Sequence, residues 1–320
     1  MNTPLVSVCV TTYNQDRYIE DCLVSVLMQL QDAALEILVG DDGVGEETPH
    51  IIGRLMVRYP GVIRYFRHEK NLGPSANYQF LVRAARGHYI AHLDGDDFWL
   101  PGKIRAQLQW MTVNPDSTAC YTNAVVVSDD RKVRGVFCSE IEGPVSLEYL
   151  LVKGNFLNHS SMLYRAKYKS LILDIAGPFI DYRMHLNFAK LGPLGFNSAA
   201  YVAYRLDSEY SMIRKTPGLV QNLYFEAMVS VLSDAAVSVF ARRSSLRHFW
   251  RAIALETLAH GRFAWAGTWA RTVFARYPAD AWVVLSKGAV QAACDLFALV
   301  IYRFSGWLFQ SNNLRILHKR

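Results

Sequence analysis

The 320-residue chain is short of charge and of cysteine. Asp, Glu, Lys and Arg make up 19% of it against 51% hydrophobic residues, which excludes disorder as its main state. Its five cysteines, Cys9, Cys22, Cys120, Cys138 and Cys294, are odd in number, widely spaced and free of any CxxC pair. That argues against a disulfide framework or zinc knuckle, and a reducing cytosol is the expected compartment. No long Lys/Arg run occurs; 34 Lys and Arg against 28 Asp and Glu give a net charge of +6. Such a balance suits a polyanionic ligand or an anionic membrane surface better than a nucleic-acid clamp, and no nucleic-acid partner is expected. No glycine lies between Thr11 and Asp16, after the first apolar run. This argues against a dinucleotide-binding GxGxxG loop and a nucleotidyltransferase glycine-rich loop. The start of the chain lacks a basic segment followed by a long apolar stretch, so Leu5 to Val10 reads as a strand, not a signal peptide.

What is present is alternation of strand and helix. Val6, Val8 and Val10 alternate with Ser7 and Cys9, and Ile19, Leu23, Val26, Leu27 and Leu30 follow at helical spacing. Further strands are expected over 35–39, 62–66 and 88–93, with helices after Thr48-Pro49 and over 75–86. This order implies a mostly parallel sheet with helices on its faces and ligands beyond the carboxyl ends of the strands. The polar clusters after Val10, Val39 and Leu93 should therefore share one crevice. Beyond it the spacing predicts a helix from Pro101 through Trp110, a strand over 118–127, sheet or loop over 154–164, a helix over 182–190 and a strand over 199–204. From about Pro217 the pattern turns helical, over 219–241, 244–260, 263–276 and 279–309. At about 150 residues per domain, the expected division is 1–212 and 213–320.

The densest chemistry is His92-Leu93-Asp94-Gly95-Asp96-Asp97-Phe98-Trp99. Three carboxylates at a strand end suit Mg²⁺ or Mn²⁺ and, through it, a diphosphate; a capped, solvated turn before a helix explains the same residues. Asp41-Asp42-Gly43 offers a carboxylate to a base or ribose, or ordinary turn chemistry. Thr11-Thr12-Tyr13-Asn14 offers hydroxyls and a stacking ring, or a helix cap. In Asn71-Leu72-Gly73-Pro74-Ser75-Ala76-Asn77, Ser75 is a capping candidate, and Arg67 and His68 upstream face either phosphate or solvent. Asp181 is either a helix N-cap or a general base.

The ordered set Val-Cys-Val-Thr-Thr-Tyr-Asn, Leu-Val-Gly-Asp-Asp-Gly, Asn-Leu-Gly-Pro-Ser-Ala-Asn, Gly-His-Tyr-Ile-Ala-His-Leu-Asp-Gly-Asp-Asp, Gly-Asn-Phe, Asp-Tyr and Tyr-Arg resembles family 2 glycosyltransferases of the GT-A fold. The resemblance covers residues 5 to about 212. It implies an α/β fold, a mostly parallel nucleotide-binding sheet flanked by helices, here followed by a helical C-terminal extension. It assigns Thr11, Tyr13, Asp42 and Asp94 to the nucleotide-sugar, Asp96 to a divalent metal (Mn²⁺ or Mg²⁺) and Asp181 to the base that deprotonates the acceptor hydroxyl. It implies an inverting single displacement from a nucleotide-sugar, by default a UDP-sugar, to a glycan or lipid-linked glycan, in bacterial surface-polysaccharide synthesis. Three departures stand out. Val44 replaces the serine that often follows Asp-Asp-Gly. Ile180 precedes Asp181 where a second acid is frequent. Asp207 occupies the place of a common histidine near metal or diphosphate. A nucleotide-sugar-binding protein without turnover, acting through its helical region, is the alternative.

The tail carries Trp282, Leu296, Phe297, Phe304 and Trp307 but is interrupted by Lys287, Asp295 and Arg303, too often for a spanning helix. Lys287, Gln291 and Asp295 fall on one predicted stripe. The segment 279–320, with Arg315, His318, Lys319 and Arg320 at its end, is therefore expected either to lie on the cytoplasmic face of the inner membrane or to pack as core.

Overall fold

The computed structural model describes the backbone of residues 5–139, 141, 143–206, 217–308 and 315–318, with side chains to residue 298. Four parallel strands form the heart of the sheet in the order β3-β2-β1-β4: β1 (Val6–Thr12), β2 (Leu35–Asp41), β3 (Ile63–Arg67) and β4 (Tyr89–Asp94). They alternate with α1 (Ile19–Leu27), α2 (Glu47–Arg58) and α3 (Pro74–Ala84). In α1 the inward residues Ile19, Cys22, Leu23 and Val26 keep the i, i+3, i+4, i+7 spacing of a helix face. Val6, Val8, Cys9 and Val10 are all fully buried, as expected of a strand covered on both faces.

Next come β5 (Phe98–Trp99), α4 (Lys103–Val113), β6 (Ala119–Val127), β7 (Val133–Cys138), α5 (Leu147–Lys153), β8 (Leu163–Arg165), α6 (Ser170–Leu173), α7 (Asp181–Leu191) and β9 (Gly195–Arg205). Past β4 the sheet is mixed: β8 is antiparallel to β4 and β6, β7 antiparallel to β6, and β9 parallel to β6 and antiparallel to β5. Pro101 does not open α4; Gly102 follows it with φ 85°, and the helix starts at Lys103. The left-handed turn that only glycine adopts easily sets the start.

The remaining helices are α8 (Pro217–Leu232), α9 (Val239–His260), α10 (Phe263–Arg276) and α11 (Pro278–Leu308), and β10 (Arg315–His318) pairs parallel to β7. Arg315 and His318, expected at a lipid-facing end, thus lie in a sheet-edge strand; Lys319 and Arg320 are outside the described residues. The chain divides into two compact units, residues 1–146, 156–227 and 314–320 in one, 147–155 and 228–313 in the other.

Within the second unit α11 packs on α9 through Ala281, Val284, Gly288 and Ala292, all buried. A Cβ on Gly288 would stand 2.7 Å from the Trp250 ring, whose Nε1–H donates to the Leu285 carbonyl at 2.9 Å. Asp280 receives Arg242 and Arg243 at 2.8 and 2.6 Å, and Asp295 receives Arg251. Asp295 is therefore turned to α9 and does not extend the stripe of Lys287 and Gln291. The face turned to solvent instead carries Trp282, Val290 and Phe297, exposed by 76%, 65% and 67%.

In the first unit, Lys103 is wholly buried. Its ammonium donates to Gln107 Oε1 at 2.6 Å and sits 3.9 Å above the Trp99 ring. Burial lowers its pKa from 10.5 to about 7. The folded state then binds fewer protons than the unfolded chain between about pH 7 and 10.5, so stability rises with pH through that window and is lost as pH falls. Lys103→Met is expected to gain stability over wild type near pH 7, on the order of a few kcal/mol less the lost Gln107 bond. The gain should shrink towards pH 10. Urea unfolding across that range checks it, and a pH-independent difference would refute it.

Candidate active site

Strand register brings the chemistry together. Thr11 on β1 lies opposite Gly40 of β2 on one side and Asp94 of β4 on the other. The carboxyl ends of all three strands thus open on the same edge, where α/β sheets bind ligands. From Asp94 the chain turns through Gly95, Asp96 and Asp97 into β5. The Gly95 amide donates to the Thr11 carbonyl at 2.8 Å. A Cβ there would meet the Gln15 side chain at 2.6 Å and the Thr11 carbonyl oxygen at 3.0 Å, so only glycine lets the turn approach β1 this closely.

The three carboxylates differ in state. Asp94 Oδ1 accepts from His92 Nε2 at 3.0 Å and lies 3.4 Å from Thr11 Oγ1. Its Oδ2 is 3.3 Å from Ser160 Oγ. Burial works against its charge, but the charge and hydrogen bond of His92, His159 and the Ser160 hydroxyl together hold the carboxyl well below the usual range. Asp97 is buried; its Oδ2 accepts from Ser160 Oγ at 2.6 Å and its Oδ1 from the Arg205 amide at 2.9 Å. Burial first, then the charges of Asp96 and Asp94, push its pKa well up. The Asp96 backbone is fixed by Arg205, whose Nε–H donates to its carbonyl at 2.7 Å. Arg205 also pairs with Asp21 at 3.3 Å and lies over the Tyr18 and Phe98 rings at 4.7 and 5.4 Å.

Asp181 is the first residue of α7, not its cap; Ile180 holds the cap position with no side-chain bond. Asp181 Oδ1 accepts the Tyr182 amide at 2.7 Å. Ser75 exchanges two 2.9 Å hydrogen bonds with the backbone of Phe179, fixing the approach to the helix. Burial raises the pKa of Tyr204, and the charges of Asp97, Asp96, Asp94 and Asp181 all raise it further. Asp181 and the aspartate turn thus act electrostatically on the same phenol.

Tyr13 and Asp42 form the neighbouring corner. Tyr13 is 40% exposed. Asn14, at φ 53°, accepts the Val44 amide at 3.2 Å and so joins the turns after β1 and β2. Asp42 is buried, accepts the Leu72 amide at 3.1 Å, and has its pKa raised by that burial. Of the phosphate candidates, Arg67 is committed to Glu46 at 2.8 Å, and His68 Nε2 is 3.1 Å from Asn77 Oδ1. Asp207 lies outside the described residues.

The structure sets Thr11 against Asp94, with Asp96 in the same turn; Tyr13 and Asp42 lie at the ends of β1 and β2, and Asp181 opens α7. It adds Ser160, Arg205 and the buried His92–His159 stack, with ring centroids 3.8 Å apart. His92 and Arg205 sit inside motifs already singled out. Nothing in the spacing of His159 and Ser160 marked them.

Among the described residues no group of three or more His, Cys, Asp or Glu side chains stands ready to hold a metal. The donor chemistry nevertheless fits a hard dication. Carboxylate oxygens are its preferred ligands, and Asp94, Asp96 and Asp97 bring three carboxylates into one short turn.

The model of the family described as glycosyl transferase family 2 matches residues 7–207. An uncharacterised protein of Mycobacterium tuberculosis is 29% identical over 208 residues, 62% of this chain and 58% of that protein. The chain thus spans a little over half the length of such relatives. Among solved structures, the 1–349 form of S. aureus TarS in complex with UDP-GlcNAc is 18% identical, with a TM-score of 0.59 over 77% of this chain and 71% of that one. The mannosyltransferase PcManGT of Pyrobaculum calidifontis, in complex with GDP-Man and Mn²⁺, is 14% identical, with a TM-score of 0.55 over 92% and 87%. The fold is that of GT-A glycosyltransferases.

Proposed function

The chain belongs to glycosyl transferase family 2, and we propose that it moves a sugar, with inversion, from a nucleoside-diphosphate sugar to a hydroxyl of a glycan or lipid-linked glycan. The gathering of Thr11, Asp94 and the turn through Asp97 at the carboxyl ends of β1 and β4, with the family match over residues 7–207, supports this reading. A base and a diphosphate-binding turn must face each other across one sugar for in-line displacement. Residues 1–212 act as the transferase domain and 213–320 as its helical region.

In this mechanism Tyr13 and Asp42 receive the base and ribose, and Thr11 with Asp94 orients the sugar diphosphate. Asp96 would hold Mn²⁺ or Mg²⁺. Such an ion, when bound, neutralises charge on the departing diphosphate. Asp97, buried and bonded to Ser160 and Arg205, keeps the turn in shape. Asp181 takes the proton of the attacking hydroxyl, a role typically worth about 10²–10⁴-fold. UDP is the proposed nucleotide; the TarS structure with UDP-GlcNAc supports it.

No helix among the described residues is long and apolar enough to cross a membrane. The outward Trp282, Val290 and Phe297 of α11 support a peripheral seat on the cytoplasmic face of the inner membrane, beside a lipid-linked acceptor in surface-polysaccharide synthesis. One experiment tests both parts. Full-length protein is given UDP- and GDP-sugars with and without Mn²⁺, free and mixed with anionic liposomes, and nucleotide release and sedimentation are read together. Mn²⁺-dependent release from one donor and co-sedimentation at physiological salt are expected. No release from any donor removes the transferase reading, and protein left in the supernatant even at low salt removes the membrane seat.

A further inference from the structure

The outer face of α7 borders a cleft of about 830 Å³ that the reaction above does not use. That is within the ~300–1,000 Å³ range of small-ligand sites. Its apolar lining comes from Leu171, Ile175 and Phe179, on the segment leading to Asp181, and from Leu223 of α8. Arg183 and Asn187, one turn apart on α7, add polar groups, and Asp174, Lys190 and Glu226 are exposed at its rim.

Three features define what fits. The two cations, Arg183 and Lys190, are balanced by two carboxylates, Asp174 and Glu226, so the cleft has no net charge with which to select an anion or a cation. Its polar groups include both donors and acceptors, and a hydroxyl is both at once. Its apolar residues, Phe179 among them, suit the C–H face of a ring. One group is also left underused. Arg183 makes a 3.4 Å bond from Nη1 to the Glu226 carbonyl, while its Nε is buried with no partner. Such a buried donor is costly until something accepts from it.

We propose that this cleft is a subsite for an uncharged, hydroxyl-rich saccharide, the part of the acceptor glycan beyond the sugar that reacts. The assignment to the acceptor rests on the reading of Asp181 as base; saccharide binding in the cleft does not. The lining includes Phe179 and Arg183, two residues to either side of Asp181 in the chain, so the cleft lies beside the start of α7. The acceptor is thereby held through sugar faces and hydroxyls, and an anionic group is not required in this part of it.

The test uses the full chain and defined probes: methyl glycosides of glucose, galactose, mannose and N-acetylglucosamine, with maltose, cellobiose and lactose, followed by saturation-transfer NMR up to high millimolar concentration. Sodium dodecanoate is the apolar control. Arg183→Met removes the guanidinium, and Leu223→Trp narrows the cleft with a larger ring. UDP and GDP binding by both variants is measured in parallel and should equal wild type. Binding of at least one saccharide, weakened by about tenfold or more, or 1.4 kcal/mol, in both variants supports the subsite. No saccharide binding, binding unchanged in the two variants, or dodecanoate binding alone overturns it. Wild-type protein that binds a saccharide in the cleft but releases nucleotide from no donor would instead refute the transferase reading and leave the subsite standing.

Discussion

Asp96→Ala is expected to abolish sugar transfer and leave the fold intact. The backbone of the turn around it is held by other groups. Its carbonyl is held by Arg205 Nε–H at 2.7 Å, and the adjoining Gly95 amide by the Thr11 carbonyl at 2.8 Å. What the substitution removes is a carboxylate at the mouth of the crevice and one of the two charges that push Asp97 up. Asp97 should therefore titrate lower in the variant. If Asp96 holds a divalent ion as proposed, the variant would lose the charge that offsets the departing diphosphate, and such electrostatic stabilisation is commonly the largest single contribution to a rate. Nucleotide release and thermal unfolding, measured side by side, check this. Near-wild-type turnover that EDTA does not touch would sink the assignment.

Asp181→Asn is expected to slow transfer by about 10² or more while nucleotide affinity holds. The amide oxygen can still accept the Tyr182 N–H that Asp181 Oδ1 takes at 2.7 Å, so the first turn of α7 should keep its shape. The substitution removes the capacity to take a proton, together with the carboxylate's charge. A fall in melting temperature without a fall in rate would show that the carboxylate serves the helix alone. No change in either would leave Asp181 without a role.

The parallel half of the fold was readable because its signals are local. Alternation in Val6 to Val10, helical spacing from Ile19 to Leu27 and the polar breaks after Val10, Val39 and Leu93 each lie within a few residues of what they predict. Observed boundaries moved by one or two residues, as when the strand expected over 35–39 runs to Asp41. Thr11, Asp94, Asp96 and Asp181 were legible for the same reason, as acids and hydroxyls at the ends of elements. β7, α5 and β8 were not, because short segments in a mixed sheet carry little periodicity. Ser160 escaped because its value comes from partners 63 and 66 residues away, Asp97 and Asp94. Polar residues in a loop look alike until the fold brings their acceptors to them. Asp295 misled for the opposite reason. Its spacing from Lys287 is helical, but its partner Arg251 sits 44 residues back on α9, and an ion pair between two helices leaves no mark on the pattern of either.

The hold of Arg205 on the aspartate turn bears on how this protein can be recombined with relatives. Strand β9 ends by binding Asp96, Asp97 and Asp21, while Ser160 binds Asp94 and Asp97 from below. Residues 159–205 therefore travel with the aspartate turn, although they lie far from it in sequence. A hybrid joined between the aspartate turn and Ser160 would separate Asp97 from both its hydrogen-bond donors, and one joined between Ser160 and β9 would separate it from the Arg205 amide. A crossover placed after Arg205 keeps that set whole, and is the point at which a foreign C-terminal segment can be grafted without disturbing the donor side.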